Sequence, residues 1–221
     1  MSTALLFDLD GTLVDSIGLI LSSARYAFDG FAGRAPTDDE WRAGIGRPLQ
    51  ITLREWASDD AEAERLFVRY REFQLEHHDR MLRAYDGIVP ALRAFAAAGH
   101  PLALVTSKSD WLARKALELI RVSDIFPVLV GCDSCERHKP HPEPVERALA
   151  LLGVTAEHAV YVGDSPHDIE SGRGAGVYTV GVTWGACSRA EMEASGADLV
   201  IDSVSDLHQI GARNAPDIQT F

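Results

Sequence analysis

A strand pattern that occurs once and then gives way to a long helical stretch constrains the fold of this chain more than any other feature. The apolar run Ala4-Leu5-Leu6-Phe7 reads as a buried strand that ends in polar residues at Asp8. Residues 16–82 then offer only helical periodicity. Ile17, Ile20, Leu21, Ala24, Ala27, Phe28 and Phe31 form one apolar stripe, and Ala63, Leu66, Phe67, Tyr70 and Phe73 another. Helix starts are marked by Asp15-Ser16, by Thr37 with Glu40 three residues on, by Pro48 and by Asp59. After Asp86-Gly87 the pattern changes again. Apolar runs at 102–106, 128–130, 160–162, 178–182 and 199–201 alternate with helical segments at 90–98, 111–120, 142–152 and 205–210, with a short helix expected near Asp168. Such alternation predicts a parallel sheet covered on both faces. The expected organisation is an α/β, doubly wound core of residues 1–15 and 83–213, an all-helical insert at 16–82 and a loose tail at 214–221.

Charge narrows the partners. The 221 residues carry 33 acidic and 21 basic side chains, a formal net charge of -12, with no Lys/Arg-rich tract. A duplex-binding surface needs a basic footprint, so no nucleic-acid partner is expected. The same field repels small anions, so a phosphate ligand requires a local cation or metal. No apolar run approaches the roughly 18 to 20 residues of a membrane helix, and no signal-peptide pattern opens the chain. Cys132, Cys135 and Cys187 are too few for a disulfide framework and fit a reducing compartment, so a cytoplasmic protein with no membrane partner is expected. Lysine is rare here: only Lys108, Lys115 and Lys139 occur among the 21 basic residues, which makes each lysine mildly informative.

Ligands of open parallel sheets bind beyond the carboxyl ends of the strands. There this chain places Asp8-Leu9-Asp10-Gly11-Thr12, then Thr106-Ser107-Lys108, Lys139-Pro140, and Gly163-Asp164-Ser165-Pro166-His167-Asp168. Asp8, Asp10, Asp164 and Asp168 would converge on one sheet edge, and clustered carboxylates need a cation among them. An all-oxygen, hard-ligand set suits Mg²⁺. A lysine and a threonine beside it suit a phosphoryl group. Other patterns fail. Cys132, Cys135, His138 and His141 are too closely spaced for a zinc chelate loop, and Gly172-x-Gly174-x-Gly176 precedes a strand where a dinucleotide fingerprint would follow one.

The four strand-end segments resemble the four motifs of the haloacid-dehalogenase superfamily, in order and over nearly the whole chain. The helical insert is similar to the cap of the branch that holds phosphoglycolate phosphatases and β-phosphoglucomutases. The resemblance implies a Rossmann-like core and a Mg²⁺-dependent phosphatase acting on a small phosphorylated metabolite, as a monomer or homodimer. Carried over, it makes Asp8 the nucleophile that forms an aspartyl-phosphate and Asp10 the acid and then the base. Thr106 holds a phosphoryl oxygen, with Ser107 beside it, and Lys139 neutralises charge. Asp164 would ligate Mg²⁺ with Asp8 and the backbone carbonyl of Asp10, while Asp168 binds or orients metal waters. Family dehalogenases lack the second aspartate of the first motif, so Asp10 favours phosphoryl transfer. In the cap, Gly44-Ile45-Gly46-Arg47-Pro48 is the loop with two glycines and a cation, and Arg47 is the candidate for a second anionic group of the substrate. A phosphohexose mutase, with the same core motifs, is the runner-up. A phospho-receiver domain is disfavoured, because Asp8 lies on the first strand and a large insert follows it.

Overall fold

The computed structural model describes residues 2–211, so the expected tail at 214–221 lies outside the described residues. The elements run β1 Ala4–Phe7, β2 Val14–Asp15, α1 Ile17–Phe28, α2 Asp38–Arg42, α3 Leu49–Trp56, α4 Asp60–Met81, β3 Arg83–Ala84 and α5 Ile88–Ala97. They continue with β4 Leu102–Val105, α6 Asp110–Leu119, β5 Val128–Val130, α7 Glu143–Leu152, β6 Ala159–Gly163 and α8 Pro166–Gly174. The last are β7 Tyr178–Val182, α9 Arg189–Ala194, β8 Leu199–Ile201 and α10 His208–Gly211.

Six parallel strands form one sheet in the order β5-β4-β1-β6-β7-β8. The first strand thus lies in the middle, between β4 and β6. It is buried on both faces, which is why Ala4 to Phe7 reads as a continuous apolar run without alternation. Leu5 and Phe7 face a core shared with Ile88, Leu92, Ala113 and Leu117 of α5 and α6. Leu6, Ala103 and Tyr161 face the opposite core, with Val145, Ala148 and Leu149 of α7. The fold class is the one expected: an α/β parallel sheet flanked by helices.

Between β1 and β4 the chain forms α1 to α4, which share a separate apolar core of Ile17, Ile20, Leu21, Phe28, Trp41, Leu53, Leu66 and Tyr70. Two of the expected caps form here, whereas Ser16, at the start of α1, makes no side-chain cap bond. Thr37 and Glu40 make a reciprocal box on α2, and Asp59 accepts from the Glu62 backbone N–H at 2.7 Å. Two short strands escaped the sequence reading: β2 and β3 pair antiparallel, Val14 with Ala84 and Asp15 with Arg83. This two-residue ribbon is too short to show a period, and it ties the chain entering the helical segment to the chain leaving it. Helix α5 begins at Ile88, two residues before the expected Pro90, because Gly87 takes a left-handed φ of 88° and turns the chain into the helix early.

Candidate active site

The carboxyl ends of β1, β4 and β6, the three central strands, bring the expected residues together. Asp8 continues the ladder of β1, its N–H donating to Val162 O at 2.9 Å, so the sheet itself fixes where its carboxylate stands. Gly11 adopts φ 79° in the turn that follows, and a Cβ there would overlap the Asp164 carboxylate. Only glycine lets the Asp10-Gly11-Thr12 turn approach β6 so closely. Thr106 follows β4; its Oγ1 accepts the Lys108 N–H at 3.2 Å, which leaves the hydroxyl proton for an incoming oxygen.

Lys139 is the hub. Its Nζ donates to Asp8 Oδ1 at 2.8 Å, to Asp168 Oδ1 at 2.6 Å and to the Tyr161 hydroxyl at 3.2 Å, with the lysine side chain only 1% exposed. Burial opposes its charge, but Asp168 and Asp8 more than offset this, and Lys139 is held protonated. Asp168 is engaged on both oxygens. Oδ1 takes Lys139 and Tyr161, and Oδ2 takes the Ser165 N–H at 3.1 Å and hydroxyl at 2.6 Å. Its geometry is that of a residue orienting Lys139. Asp10 is claimed by a different cation: Lys108 Nζ lies 2.8 Å from Oδ2 and 3.0 Å from Oδ1. Burial works against ionisation of Asp10, yet Lys108 prevails and holds the carboxyl below the usual range.

Asp164 stands apart. Its Oδ2 accepts the Ala186 N–H at 2.7 Å and its Oδ1 the Thr12 hydroxyl at 3.3 Å, but it makes no ion pair among the described residues and Lys139 acts on it only through space. Burial first, then the charges of Asp168 and Asp8, push its carboxyl well above the usual range. Asp8 is likewise pushed up to about 7, chiefly by burial. One oxygen from each of Asp8, Asp164 and Asp168 lies within 4.8 Å of the others. Three buried carboxylates with one lysine among them are short of positive charge, and their donors are all oxygen. That set fits a hard divalent cation such as Mg²⁺.

The helical insert closes over this edge. The Ser107 hydroxyl donates to Gly46 O at 2.6 Å, so Ser107 latches the insert loop to the strand end and its proton is already spent. Gly46 takes φ 98°, and a Cβ there would lie 2.6 Å from Ser165 Oγ across the gap. Arg47 lines the cavity but its guanidinium is committed in both arms to Glu55, through Nη1–Oε2 at 2.9 Å and Nη2–Oε1. Together the strand ends and the insert border a half-open cavity of about 80 Å³, with Asp8, Asp10, Thr106 and Lys108 below and Trp41, Ile45, Tyr70, Arg71 and Gln74 above.

A family model described as haloacid dehalogenase-like hydrolase matches residues 5–182. The chain belongs to that family. This haloacid dehalogenase-like hydrolase is 35% identical over 202 residues to the pyrophosphatase PpaX of Bacillus cereus, which covers 91% of this chain and 93% of the relative. Among solved structures it is similar to a predicted phosphoglycolate phosphatase from Haemophilus somnus (TM-score 0.86, 25% identity, 95% of this chain and 97% of the other). It is also similar to a predicted phosphatase from Clostridium acetobutylicum (TM-score 0.84, 26% identity, 95% and 98%). No helix among the described residues is long and apolar enough to cross a membrane.

Some residues of this hydrolase site were out of reach of the sequence. Tyr161 reads as a core residue within a strand, yet its hydroxyl links Val105 O (3.0 Å), Asp168 and Lys139. Tyr161→Phe should cost about 1 to 3 kcal/mol of folding stability, because buried oxygens lose a donor. Denaturant unfolding with a change under roughly 0.5 kcal/mol would show that the hydroxyl is dispensable. Arg71 and Gln74 on α4 also escaped, since they belong to no motif and lie outside the apolar stripe read from the sequence.

Proposed function

We infer that this protein is a Mg²⁺-dependent phosphatase of a small phosphorylated substrate, working through an aspartyl-phosphate on Asp8. The observation that carries the reading is the floor of the cavity, where Asp8 and Asp10, two residues apart, meet Thr106 and Lys108 in a space of about 80 Å³, with Lys139 buried behind it against Asp8. That is well below the roughly 300 to 1,000 Å³ of sites for drug-sized ligands. A phosphohexose would crowd it, so hydrolysis of a compact substrate is favoured over the mutase reading. Inorganic pyrophosphate is the first candidate, on the strength of the 35% identical relatives, and phosphoglycolate the second.

Asp8 supplies the attacking carboxylate, and Lys139, bonded to Oδ1, orients it and offsets its charge. Thr106 donates its free hydroxyl to a phosphoryl oxygen. Asp10, kept ionised by Lys108, is ready to take a proton from the water that cleaves the aspartyl-phosphate; to act as acid toward the leaving oxygen it must first be protonated, which the negative charge of an incoming phosphate beside it favours. Asp8 and Asp164, with the Asp10 backbone carbonyl, would hold Mg²⁺, and Asp168 would keep Lys139 in register beside it. The ion, when bound, neutralises the carboxylates and the phosphoryl oxygens.

A panel of pyrophosphate, phosphoglycolate, hexose phosphates and a generic aryl phosphate, assayed with Mg²⁺, tests the reading. Turnover of the small substrates is expected, and exclusive turnover or isomerisation of hexose phosphates would reverse it. Loop closure has its own test. Gly46→Ala forces a non-glycine residue into a left-handed φ and against Ser165, at about 1 to 2 kcal/mol. If that cost falls on the closed form, kcat/KM drops roughly 5- to 30-fold. Unaltered kinetics would mean that turnover does not require the loop in this position.

A further inference from the structure

The two arginines on the insert side of the cavity differ in what already occupies them. Arg47 is neutralised by Glu55 before any substrate enters. Arg71, on α4, makes no ion pair among the described residues. Its Nη1 donates to Gln74 Oε1 at 2.5 Å, and its guanidinium lies 5.2 Å from the centre of the Phe67 ring. Gln74 is 3% exposed, and with its oxygen committed to Arg71 its amide offers only N–H donors. This stretch of wall therefore presents positive charge and donors. A partly buried cation with no acid in contact costs folding free energy; burial is the main force acting against the charge of Arg71, and Asp10 and Asp133 favour it only through space. Such a group is accounted for if the anion comes from outside.

The position of that anion is constrained. The phosphoryl group under attack must sit at Asp8, on the cavity floor formed by the strand ends, whereas Arg71 belongs to the opposite, helical wall. The cavity is small, so an anion at Arg71 stands close to the reacting phosphorus. We propose that Arg71, oriented by Gln74, binds a second anionic group of the substrate and selects compact phosphorylated substrates that carry two anionic groups side by side. Arg47, by contrast, is a loop-closing residue through Glu55. This assignment rests on the phosphatase reading above and names the class of substrate that the site takes.

The test compares wild type, Arg71→Met, Arg71→Lys and Arg47→Ala on pyrophosphate and on ethyl phosphate, whose leaving group is neutral. A charged hydrogen bond lost from one substrate only lowers the pyrophosphate-to-ethyl phosphate ratio of kcat/KM by roughly 10- to 150-fold in Arg71→Met. Arg71→Lys recovers part of the ratio, and Arg47→Ala lowers both substrates alike. Calorimetric binding of methylenediphosphonate, which cannot be hydrolysed, weakens by a similar factor in Arg71→Met, and methylphosphonate binding does not follow it. An equal fall on both substrates and both phosphonates would make Arg71 a structural residue of the insert, and no fall would remove it from the substrate. Either result overturns the proposal and leaves the phosphatase reading standing. A wild-type protein that hydrolyses neither of these, nor phosphoglycolate or the aryl phosphate, overturns the phosphatase reading itself, and the phosphonate comparison still decides what Arg71 recognises.

Discussion

Asp8→Asn is expected to lower turnover by about 10⁴- to 10⁶-fold, the scale on which a covalent nucleophile matters. The amide is nearly isosteric, so the fold should survive, but it carries no charge and cannot attack phosphorus. Its NH₂ or carbonyl also meets Lys139 Nζ, now without an ion pair on that side, at the end of β1. Acid-quenched protein incubated with labelled substrate should yield phosphoprotein from Asp10→Asn, whose second step is slowed, and none from Asp8→Asn. Near wild-type turnover by Asp8→Asn, with mass spectrometry excluding deamidation back to aspartate, would remove Asp8 as the nucleophile.

Withdrawing divalent metal is the second large effect. Exhaustive chelation should abolish hydrolysis, and added Mg²⁺ should restore it. The physical reason is the deficit of positive charge at Asp8, Asp164 and Asp168, where like charges a few ångströms apart repel by roughly several kcal/mol at protein-like dielectric. A thermal melt supplies a readout independent of activity. Mg²⁺ should raise the wild-type melting temperature, because a ligand that binds only the folded state stabilises it by mass action. Asp164→Asn should raise the metal-free melting temperature, by roughly 2 to 4 °C for each kcal/mol of repulsion relieved, and should abolish the Mg²⁺ response. Full activity in the presence of excess chelator, or an undiminished Mg²⁺ shift in Asp164→Asn, would sink the assignment of this cluster to a metal.

Much of this architecture was legible before any coordinates. Strand ends are local features: an apolar run that stops at Asp8, Thr106 or Asp164 marks the sheet edge, and parallel topology gathers such edges on one side. The rarity of lysine was a useful signal too. Lys108 and Lys139 both sit on acids of the site, while Lys115 pairs with Asp79 at the base of α4. Local chemistry likewise foretold the caps at Thr37 and Asp59, each of which accepts a backbone N–H three residues on.

What the local pattern could not supply was the choice of partner. The sequence by itself determined the α/β class, the helical segment between the first two sheet strands, and the acids, threonine and lysine that meet at the sheet edge. It could suggest that Ser107 and Arg47 face the ligand, because a hydroxyl at a strand end and a guanidinium in a glycine loop look available. Only the tertiary structure decided that Ser107 spends its proton on Gly46, that Arg47 is matched by Glu55, and that Asp168 gives both oxygens to Lys139, Tyr161 and Ser165. It decided, too, that Arg71 meets the cavity with no ion-pair partner among the described residues. Secondary structure follows from neighbours a few residues apart, whereas the state of a charged side chain depends on which groups packing brings within about 3 to 4 Å. Lys139 and Asp8 stand 131 residues apart in the chain, and no periodicity carries that distance.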